Sequence, residues 1–396
     1  MEKLNVVSEN EKSTVISKYE YDRSKAQSFQ SEAELEKEFI KTLQDQSYEY
    51  LKIHSEAELI LNLKMQLEKL NNYEFSDKEW DYLFNSIIKN GNDGILEKTK
   101  RIQEDYIQTI TLDNGTLKNI KLIDKEHIHN NSLQVINQYE NSGNRDNRYD
   151  VTILVNGFPM VHVELKRRGK PIREAFNQIN RYQRDSFWAG SGLYEYIQIF
   201  VISNGTYTKY YSNTTRDLHV KGGTKKSSNT FEFTSYWADQ ENKAITDLID
   251  FTKTFFAKRT ILNILTKYCV FTSESNLLVM RPYQIVATEK IINRIEIAHN
   301  DPKRIGTINA GGYIWHTTGS GKTLTSFKTA QLATNLDYID KVLFVVDRKD
   351  LDYQTMKEYD RFKKGAANAN TSTAILKSQL EDDSKIIITT IQKLTS

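Results

Sequence analysis

The feature that most constrains the fold of this chain is a glycine-rich run between an apolar segment and a helical pattern. It reads IWHTTGSGKT over residues 314–323, so two glycines and a lysine stand where a strand is expected to give way to a helix. Glycines let backbone amides turn towards phosphate oxygens at a helix N-terminus, and the lysine adds positive charge. The run predicts a nucleotide phosphate loop inside an α/β domain.

The role expected of each side chain follows from phosphate chemistry. Lys322 would supply charge to the β and γ phosphates, and the hydroxyl of Thr323 would coordinate magnesium. The loop that cradles the phosphates would consist of Thr318, Gly319, Ser320 and Gly321. A glycine-rich turn beside a surface lysine is the alternative, but the strand-to-helix context favours the nucleotide site.

The residues around this loop alternate between helical and extended patterns. Expected helices cover 283–298, 322–335 and 350–361, and expected strands cover 312–316, 341–346 and 385–390. This alternation is typical of a parallel α/β sheet. With so few strands the sheet would be only part of such a domain.

Length and composition set the remaining limits. A chain of 396 residues is long enough for two domains, which we expect at 1–255 and 281–396 with a linker at 256–280. Neither a membrane-spanning apolar run nor a signal-peptide pattern is present, which favours a cytoplasmic protein without a membrane partner. The net charge of +2 means that any DNA contact must be local.

A second candidate site lies in YDVTILVNGFPMVHVELK, residues 149–166, which we expect to form two strands joined at Asn156-Gly157. Glu164 and Lys166 alternate along the second strand, and Asp150 lies near the start of the first. Paired carboxylates bind a hard divalent cation, and a neighbouring lysine can orient water or stabilise phosphate charge. A solvated charged strand face is the alternative interpretation.

The register of the two strands decides whether the carboxylates meet. A two-residue loop at Asn156-Gly157 would put Asp150 opposite Val163, so the carboxylates would face opposite sides of the sheet. A three-residue loop, or one bulge, would set Asp150 directly across from Glu164. Metal chemistry at this hairpin therefore requires a bulge or a longer turn.

The helix expected at 172–187 adds a third set of candidates. Gln178 and Tyr182, spaced i and i+4, would share one helix face and meet DNA or support the site, although such residues are more often ordinary surface residues. Basic residues cluster on this strand and helix, namely Lys166, Arg167, Arg168, Lys170, Arg173, Arg181 and Arg184. The cluster suits phosphate contacts, with a solvated charged surface as the alternative.

With both sites in order, nearly the whole chain resembles the N-terminal part of the restriction subunit of type I restriction-modification enzymes. The resemblance rests on Asp150 with Glu164-Leu165-Lys166, on Gln178 to Tyr182, on RPYQ at 281–284 and on HTTGSGKT at 316–323. It implies a PD-(D/E)xK nuclease domain, a mixed sheet flanked by helices, followed by a partial RecA-like parallel α/β helicase domain.

The resemblance also implies roles for further residues. Gln284 is similar to the adenine-contacting glutamine of superfamily 2 helicases, and Glu36 is similar in position to an acidic residue on the first helix of many PD-(D/E)xK nucleases. Residues 345–348 and 389–392 resemble two motifs that contact a nucleic-acid backbone. A solvated helix face would equally explain Glu36 with its acidic neighbours.

The function implied is ATP-dependent translocation of double-stranded DNA and its metal-dependent cleavage, with ATP and Mg²⁺ as cofactors and methylation and specificity subunits as partners. Two alternatives stay open: another superfamily 2 helicase-nuclease, of a repair or type III-like kind, or a non-catalytic DNA-binding assembly module. The Walker B carboxylates and the second RecA-like domain of this family are absent. We therefore expect a truncated chain that does not hydrolyse ATP.

Overall fold

A computed structural model describes residues 13–21, 30–142, 146–215, 233–347, 349–365, 368–369 and 372–395. The chain is a mixed α/β protein that divides into two compact units. The first comprises Met1–Val270 and Asn276–Val279, and the second comprises Phe271–Ser275 and Met280–Ser396. No described helix is long and apolar enough to cross a membrane.

The first unit is built on a six-stranded sheet in the order β1-β4-β5-β6-β7-β8. Pairing within it is mixed, because β1 with β4 and β6 with β7 are parallel and the other neighbours are antiparallel. These strands are β1 (Glu49–Tyr50), β4 (Leu133–Ser142), β5 (Asp146–Val155), β6 (Phe158–Leu165), β7 (Ile199–Ser203) and β8 (Thr208–Ser212). Separate hairpins comprise β2 (Ile107–Thr111) with β3 (Leu117–Lys121), and β9 (Trp237–Ala238) with β10 (Ala244–Ile245).

Helices surround this sheet. They are α1 (Glu32–Asp45), α2 (Glu56–Asn71), α3 (Asp77–Asp81), α4 (Ile95–Gln103), α5 (Ile172–Asp185), α6 (Leu248–Phe255) and α7 (Lys258–Asn263). The sequence SEAE at 31–34 predicts a capping box, and Ser31 and Glu34 form it at the start of α1. The helical spacing of Leu35, Phe39 and Leu43 predicts a buried stripe, and all three side chains are fully buried, so both predictions are confirmed.

The second unit contains a three-stranded parallel sheet in the order β13-β15-β14, which confirms the parallel α/β prediction. Its strands are β13 (Val342–Val346), β14 (Asn368–Ala369) and β15 (Ile386–Thr390). Its helices are α8 (Pro282–Asn300), α9 (Lys322–Ala333), α10 (Lys349–Phe362), α11 (Thr373–Glu381) and α12 (Ile391–Leu394). A hairpin of β11 (Cys269–Phe271) and β12 (Leu277–Val279) lies where the division into units falls.

Three segments differ from the sequence expectations. The sequence pattern favours one helix over 78–104, but the helix is broken at 89–94, where Gly91 and Gly94 interrupt it. The strand expected at 312–316 has no regular structure, and Tyr313 and Trp315 are each 88% exposed. Much of the segment expected as a linker, 256–280, is helix and strand that contribute buried apolar side chains.

Candidate active site

The turn between β5 and β6 has the two-residue form that Asn156-Gly157 favours. Both residues have positive φ angles, 51° and 82°, as a type I′ hairpin turn requires. Val155 pairs with Phe158 directly beside the turn. Without a later irregularity, this pairing would place the two candidate carboxylates on opposite faces.

A register shift between Ile153 and Leu154 corrects the alignment, and beyond it Val151 pairs with Val163. Continuing this register by one residue brings Asp150 opposite Glu164. The bulge that metal chemistry requires is therefore present in the hairpin, and this prediction from the sequence is confirmed.

Asp150, Glu164 and Lys166 form one cluster at the end of this strand pair. The Lys166 Nζ lies 2.9 Å from Glu164 Oε1 and 4.0 Å from Asp150 Oδ2. Asp150 Oδ2 also accepts a hydrogen bond of 2.9 Å from the backbone N–H of Leu165. The structure thus brings together the three residues that the sequence singled out.

Burial controls the ionisation of this cluster. Glu164 is fully buried, and burial raises the pKa of its carboxyl to about 7. Burial and the nearby Glu164 together raise the pKa of Asp150 well above its ordinary value. Burial lowers the pKa of Lys166, but the two carboxylates outweigh that effect and raise it. Burial disfavours the ionised forms of Asp150 and Glu164, and Lys166 is the one cation in this cluster. A second positive charge at the cluster would therefore stabilise the two carboxylates.

The first helix contributes two acidic residues. Glu36 accepts hydrogen bonds from the side-chain amides of Asn137, at 2.6 Å, and Gln138. Burial raises the pKa of Glu36 despite these contacts. One turn earlier, Glu32 Oε1 lies 3.5 Å from Lys166 Nζ. The direct first-helix contact to the cluster therefore comes from Glu32, which the sequence did not single out.

Gln178 and Tyr182 do share a face of α5, as expected from their spacing. The amide of Gln178 donates to the Tyr182 hydroxyl, which in turn donates to the backbone carbonyl of Arg148 at 2.9 Å. Arg148 lies two residues before Asp150. Tyr182 is buried, so this pair supports the strand that carries the carboxylate.

The basic cluster contains bound and exposed side chains, and Lys170 lies 3.9 Å from Glu174 on the surface. Arg168 is bound within the unit, with its guanidinium 3.1 Å from Asp247, and Lys166 is held by carboxylates. Four arginines are exposed, namely Arg167, Arg173, Arg181 and Arg184. Arg184 is paired with Asp185 at 2.6 Å, but its side chain stays exposed. These four are the candidates for contacts with phosphate.

The phosphate loop lies in the second unit. Gly319 and Gly321 adopt positive φ angles of 77° and 83°, which Cβ-bearing residues rarely adopt. Gly321 leads into α9, which begins at Lys322. The Lys322 Nζ lies 3.3 Å from the carbonyl oxygen of Thr317 and donates to it, so the ammonium is folded back over the loop. Thr318 is exposed and Thr323 is half-buried at the start of the helix.

Gln284 connects α8 with this loop. Its Oε1 accepts from the backbone N–H of Arg281 at 2.9 Å, and its Nε2 donates to the carbonyl of Ser320 at 3.1 Å. The Tyr283 hydroxyl donates to the same carbonyl at 2.8 Å. The expected adenine contact thus lies against the expected phosphate loop.

The two segments expected to contact a nucleic-acid backbone also meet. Val346 pairs with Thr390, and the Gln392 amide donates to the carbonyl of Asp347 at 3.1 Å. Arg348, the last residue of the first segment, lies outside the described residues. The carboxyl ends of β13 and β15 therefore lie side by side at the same edge of the parallel sheet.

Sequence reasoning missed His162, a fully buried residue of β6. Its Nε2 lies 3.4 Å from Glu164 Oε2. Burial lowers the pKa of this imidazole to about 4, so the ring is neutral near pH 7. The alternation that singled out Glu164 and Lys166 includes position 162 and could have drawn attention to it.

Two protein families match the chain, one in each half. The family described as the type I restriction enzyme R protein N terminus matches residues 29–219. The SWI2/SNF2 ATPase family matches residues 283–396. The matched segments contain the carboxylate cluster and the phosphate loop respectively.

Relatives match over most of the chain. The Escherichia coli type I restriction enzyme EcoprrI endonuclease subunit is 44% identical over 311 residues, covering 78% of this chain and 96% of the relative. The Staphylococcus saprophyticus SsaAORF53P endonuclease subunit is 40% identical over 374 residues, covering 93% of this chain. A putative Methanocaldococcus jannaschii endonuclease subunit, MjaVIIIP, is 27% identical over 341 residues, covering 76% of this chain and 31% of the relative. The chain spans 37% of the staphylococcal relative's length.

Proposed function

Because this chain belongs to the endonuclease subunits of type I restriction enzymes, we propose that its first unit cuts DNA and its second begins an ATP-driven DNA translocase. The two family matches fit a restriction and translocation role. The observation that carries the nuclease proposal is the bulged hairpin that sets Asp150 against Glu164 beside Lys166. This arrangement supports a PD-(D/E)xK nuclease core.

The carboxylate cluster fits a hard divalent cation. Asp150 and Glu164 offer oxygen ligands, and Glu164 Oε2 is buried without a hydrogen-bond partner in the described part of the chain. These two residues would hold Mg²⁺. The bound cation would polarise the scissile phosphate and lower the pKa of an attacking water.

The other residues of the site position and neutralise charge. Lys166, already 2.9 Å from Glu164, would stabilise negative charge on the phosphate undergoing attack. Tyr182 holds the backbone at Arg148, and Gln178 holds the Tyr182 hydroxyl. Glu36 acts from α1 by organising Asn137 and Gln138 on β4.

Double-stranded DNA is the proposed substrate, and its backbone would meet the exposed arginines. Arg167, Arg173, Arg181 and Arg184 lie on or just before α5, the helix that follows the strand of Glu164. A guanidinium binds phosphate through several parallel N–H donors, so four of them suit a backbone rather than a single ion. Such contacts give affinity without choosing a sequence.

ATP is the proposed fuel of the second unit. Its phosphates would lie against the amides of Thr318, Gly319, Ser320 and Gly321 at the start of α9. Lys322 would leave its loop carbonyls for the β and γ phosphates, and Thr323 would coordinate the magnesium ion of the nucleotide. Gln284 would contact the adenine base.

Methylation and specificity subunits are the proposed partners, since type I enzymes are multi-subunit complexes. The methylation and specificity subunits would choose the DNA sequence, and this chain would supply force and cleavage. Copurification of a methylase and a specificity subunit with the full-length chain would support the assignment.

Glu164→Ala and Lys166→Ala test the proposed division of labour in the assembled restriction complex. Each should abolish DNA cleavage and leave ATP hydrolysis largely intact, since they lie in a different unit from Lys322. Lys322→Ala is the matched control and should abolish ATP hydrolysis. Cleavage by the Glu164→Ala complex at the unaltered rate would overturn the nuclease assignment.

A further inference from the structure

His162 and Glu164 form an incomplete contact in the interior of the first unit. The imidazole Nε2 and the carboxylate Oε2 are 3.4 Å apart, and both residues are fully buried. Within the described residues neither atom has a hydrogen-bond partner. Leaving both unsatisfied costs about 1–3 kcal/mol for each group, so a bond between them is strongly favoured.

The opposite edge of the imidazole faces a short chain of hydroxyl groups. Thr152 Oγ1 lies 3.4 Å from His162 Nδ1 and 3.3 Å from the Tyr194 hydroxyl. Both hydroxyl residues are buried. Hydroxyl groups can donate and accept at once, so Tyr194 can donate to Thr152 and Thr152 to Nδ1.

Aromatic rings hold the imidazole in place. Tyr149, Tyr182 and Phe187 pack edge-on against it, with ring centroids 5.7, 5.9 and 5.7 Å away. These contacts restrict the ring to small rotations about its present orientation. Its two nitrogens therefore remain close to Thr152 and Glu164.

The tautomer of the neutral ring decides what it does. If Thr152 donates to Nδ1, the ring proton lies on Nε2, the nitrogen 3.4 Å from the Glu164 oxygen. The backbone of Val151 also hydrogen-bonds the imidazole and raises its pKa, so the alternative is a ring that carries its proton on Nδ1. In that second tautomer Nε2 would present a lone pair to Glu164, and two acceptors would face each other whenever Glu164 is ionised.

We propose that His162 is a positioning residue of the nuclease site, which holds the Glu164 carboxylate by donating Nε2–H to Oε2. The proposal rests on the nuclease function proposed above. Lys166 binds Oε1 of the same carboxylate, so the two contacts fix its plane from both sides. Glu164 is thereby oriented before a cation arrives, and a carboxylate that is already oriented binds metal more tightly.

The test compares three substitutions in the intact chain by the affinity for Mn²⁺ in titration calorimetry. His162→Gln places an amide donor close to the former Nε2, whereas His162→Asn reaches only the position of Nδ1. His162→Leu removes both donors. Lost contacts to a metal-binding carboxylate weaken metal affinity on the order of 10- to 100-fold. We expect that loss for Asn and Leu, and an affinity within about threefold of the unaltered chain for Gln.

A second measurement needs neither metal nor mutation. The ¹⁵N shifts of the His162 ring in the metal-free chain report which nitrogen carries the proton, and we expect Nε2. A proton on Nδ1, or a His162→Asn variant that binds Mn²⁺ as tightly as the unaltered chain, would overturn the positioning role. Should His162→Asn fail to fold, the ring shifts decide alone.

The failure of the proposed nuclease site would look different. Asp150→Asn should abolish Mn²⁺ binding at this site. If the unaltered chain and Asp150→Asn bind Mn²⁺ equally, the metal site itself is wrong. If only Asp150→Asn loses the metal and the His162 variants do not, the metal site stands and the positioning role fails.

Discussion

Asp150 accepts a hydrogen bond from the backbone N–H of Leu165 at 2.9 Å. One carboxylate therefore serves two purposes, because it bridges β5 to the end of β6 and also faces Glu164. This hydrogen bond lies beyond the register shift at Ile153 and Leu154, in the part of the hairpin where Asp150 comes opposite Glu164. Hairpin geometry and the proposed metal binding consequently depend on the same side chain, and substitution can separate them.

Asp150→Asn should keep the hairpin and lose the metal. The asparagine oxygen can still accept from Leu165, whereas Asp150→Ala leaves that buried N–H unsatisfied at a cost of about 1–3 kcal/mol. Urea unfolding should show Asp150→Asn at least as stable as the unaltered chain near pH 7, because an uncharged group avoids the burial cost that raises the pKa of Asp150. Equal destabilisation by Asn and Ala would contradict the bridging role.

Stability of the metal-free chain should fall as pH rises through the range in which Glu164 ionises. Burial raises the Glu164 pKa from 4.5 to about 7, so between these values the folded state binds more protons than the unfolded state. The free energy of unfolding then decreases with rising pH. Glu164→Gln should flatten this slope. Tryptophan fluorescence can follow the urea titrations, since Trp80, Trp188 and Trp237 lie in the first unit. A slope of the same size in Glu164→Gln would assign the effect to other groups.

Glu32 and Glu36 should respond differently to replacement by glutamine. Glu36 is buried and both of its oxygens accept from side-chain amides, so Glu36→Gln leaves one amide without an acceptor. Stability should fall by about 1–3 kcal/mol, less the burial cost that raises the Glu36 pKa, and cleavage should fall with it. Glu32 is 44% exposed and touches Lys166 at 3.5 Å, so Glu32→Gln should reduce cleavage with little change in stability. Urea unfolding and cleavage by the assembled complex measure the two effects. A stable, fully active Glu36→Gln variant would remove Glu36 from the site.

Helix caps and tight turns could be predicted from the sequence because they depend on interactions between residues close together in the chain. The capping box at Ser31 and Glu34 involves neighbours in the chain, and Asn156-Gly157 fixes a turn through its own backbone preferences. The position of the bulge at Ile153 and Leu154 depends on packing across the whole sheet. The sequence indicated that the hairpin needs a bulge or a longer turn for Asp150 to meet Glu164, but it did not indicate where the bulge lies.

The expected strand at 312–316 was wrong for a related reason. Its apolar residues have the composition of a buried strand, but a strand also needs a paired neighbour. At the candidate site, Asp150, Glu164 and Lys166 could be identified from the sequence, because paired carboxylates beside a lysine are typical of a metal site. His162 and Glu32 were missed because their importance comes from distances of 3.4 and 3.5 Å that only folding creates.

Gln284→Ala should weaken ATP binding more than GTP binding. Both polar atoms of Gln284 are engaged, one with Arg281 N–H and the other with the Ser320 carbonyl, yet each retains a further hydrogen-bonding position. A glutamine anchored in this way is preoriented to bind the adenine edge, and its removal should lower ATP affinity about tenfold, the effect of one hydrogen bond.

Titration with fluorescent ATP and GTP analogues separates two roles of this side chain. Tyr283→Phe removes the other contact to the Ser320 carbonyl and leaves Gln284 in place, so it reports what support of the loop alone contributes. Lys322→Ala should abolish binding of both nucleotides. If Gln284→Ala lowered the affinity for ATP and GTP equally, the residue would act through the phosphate loop and not through the base, because a guanine edge presents a different pattern of donors and acceptors to the same amide.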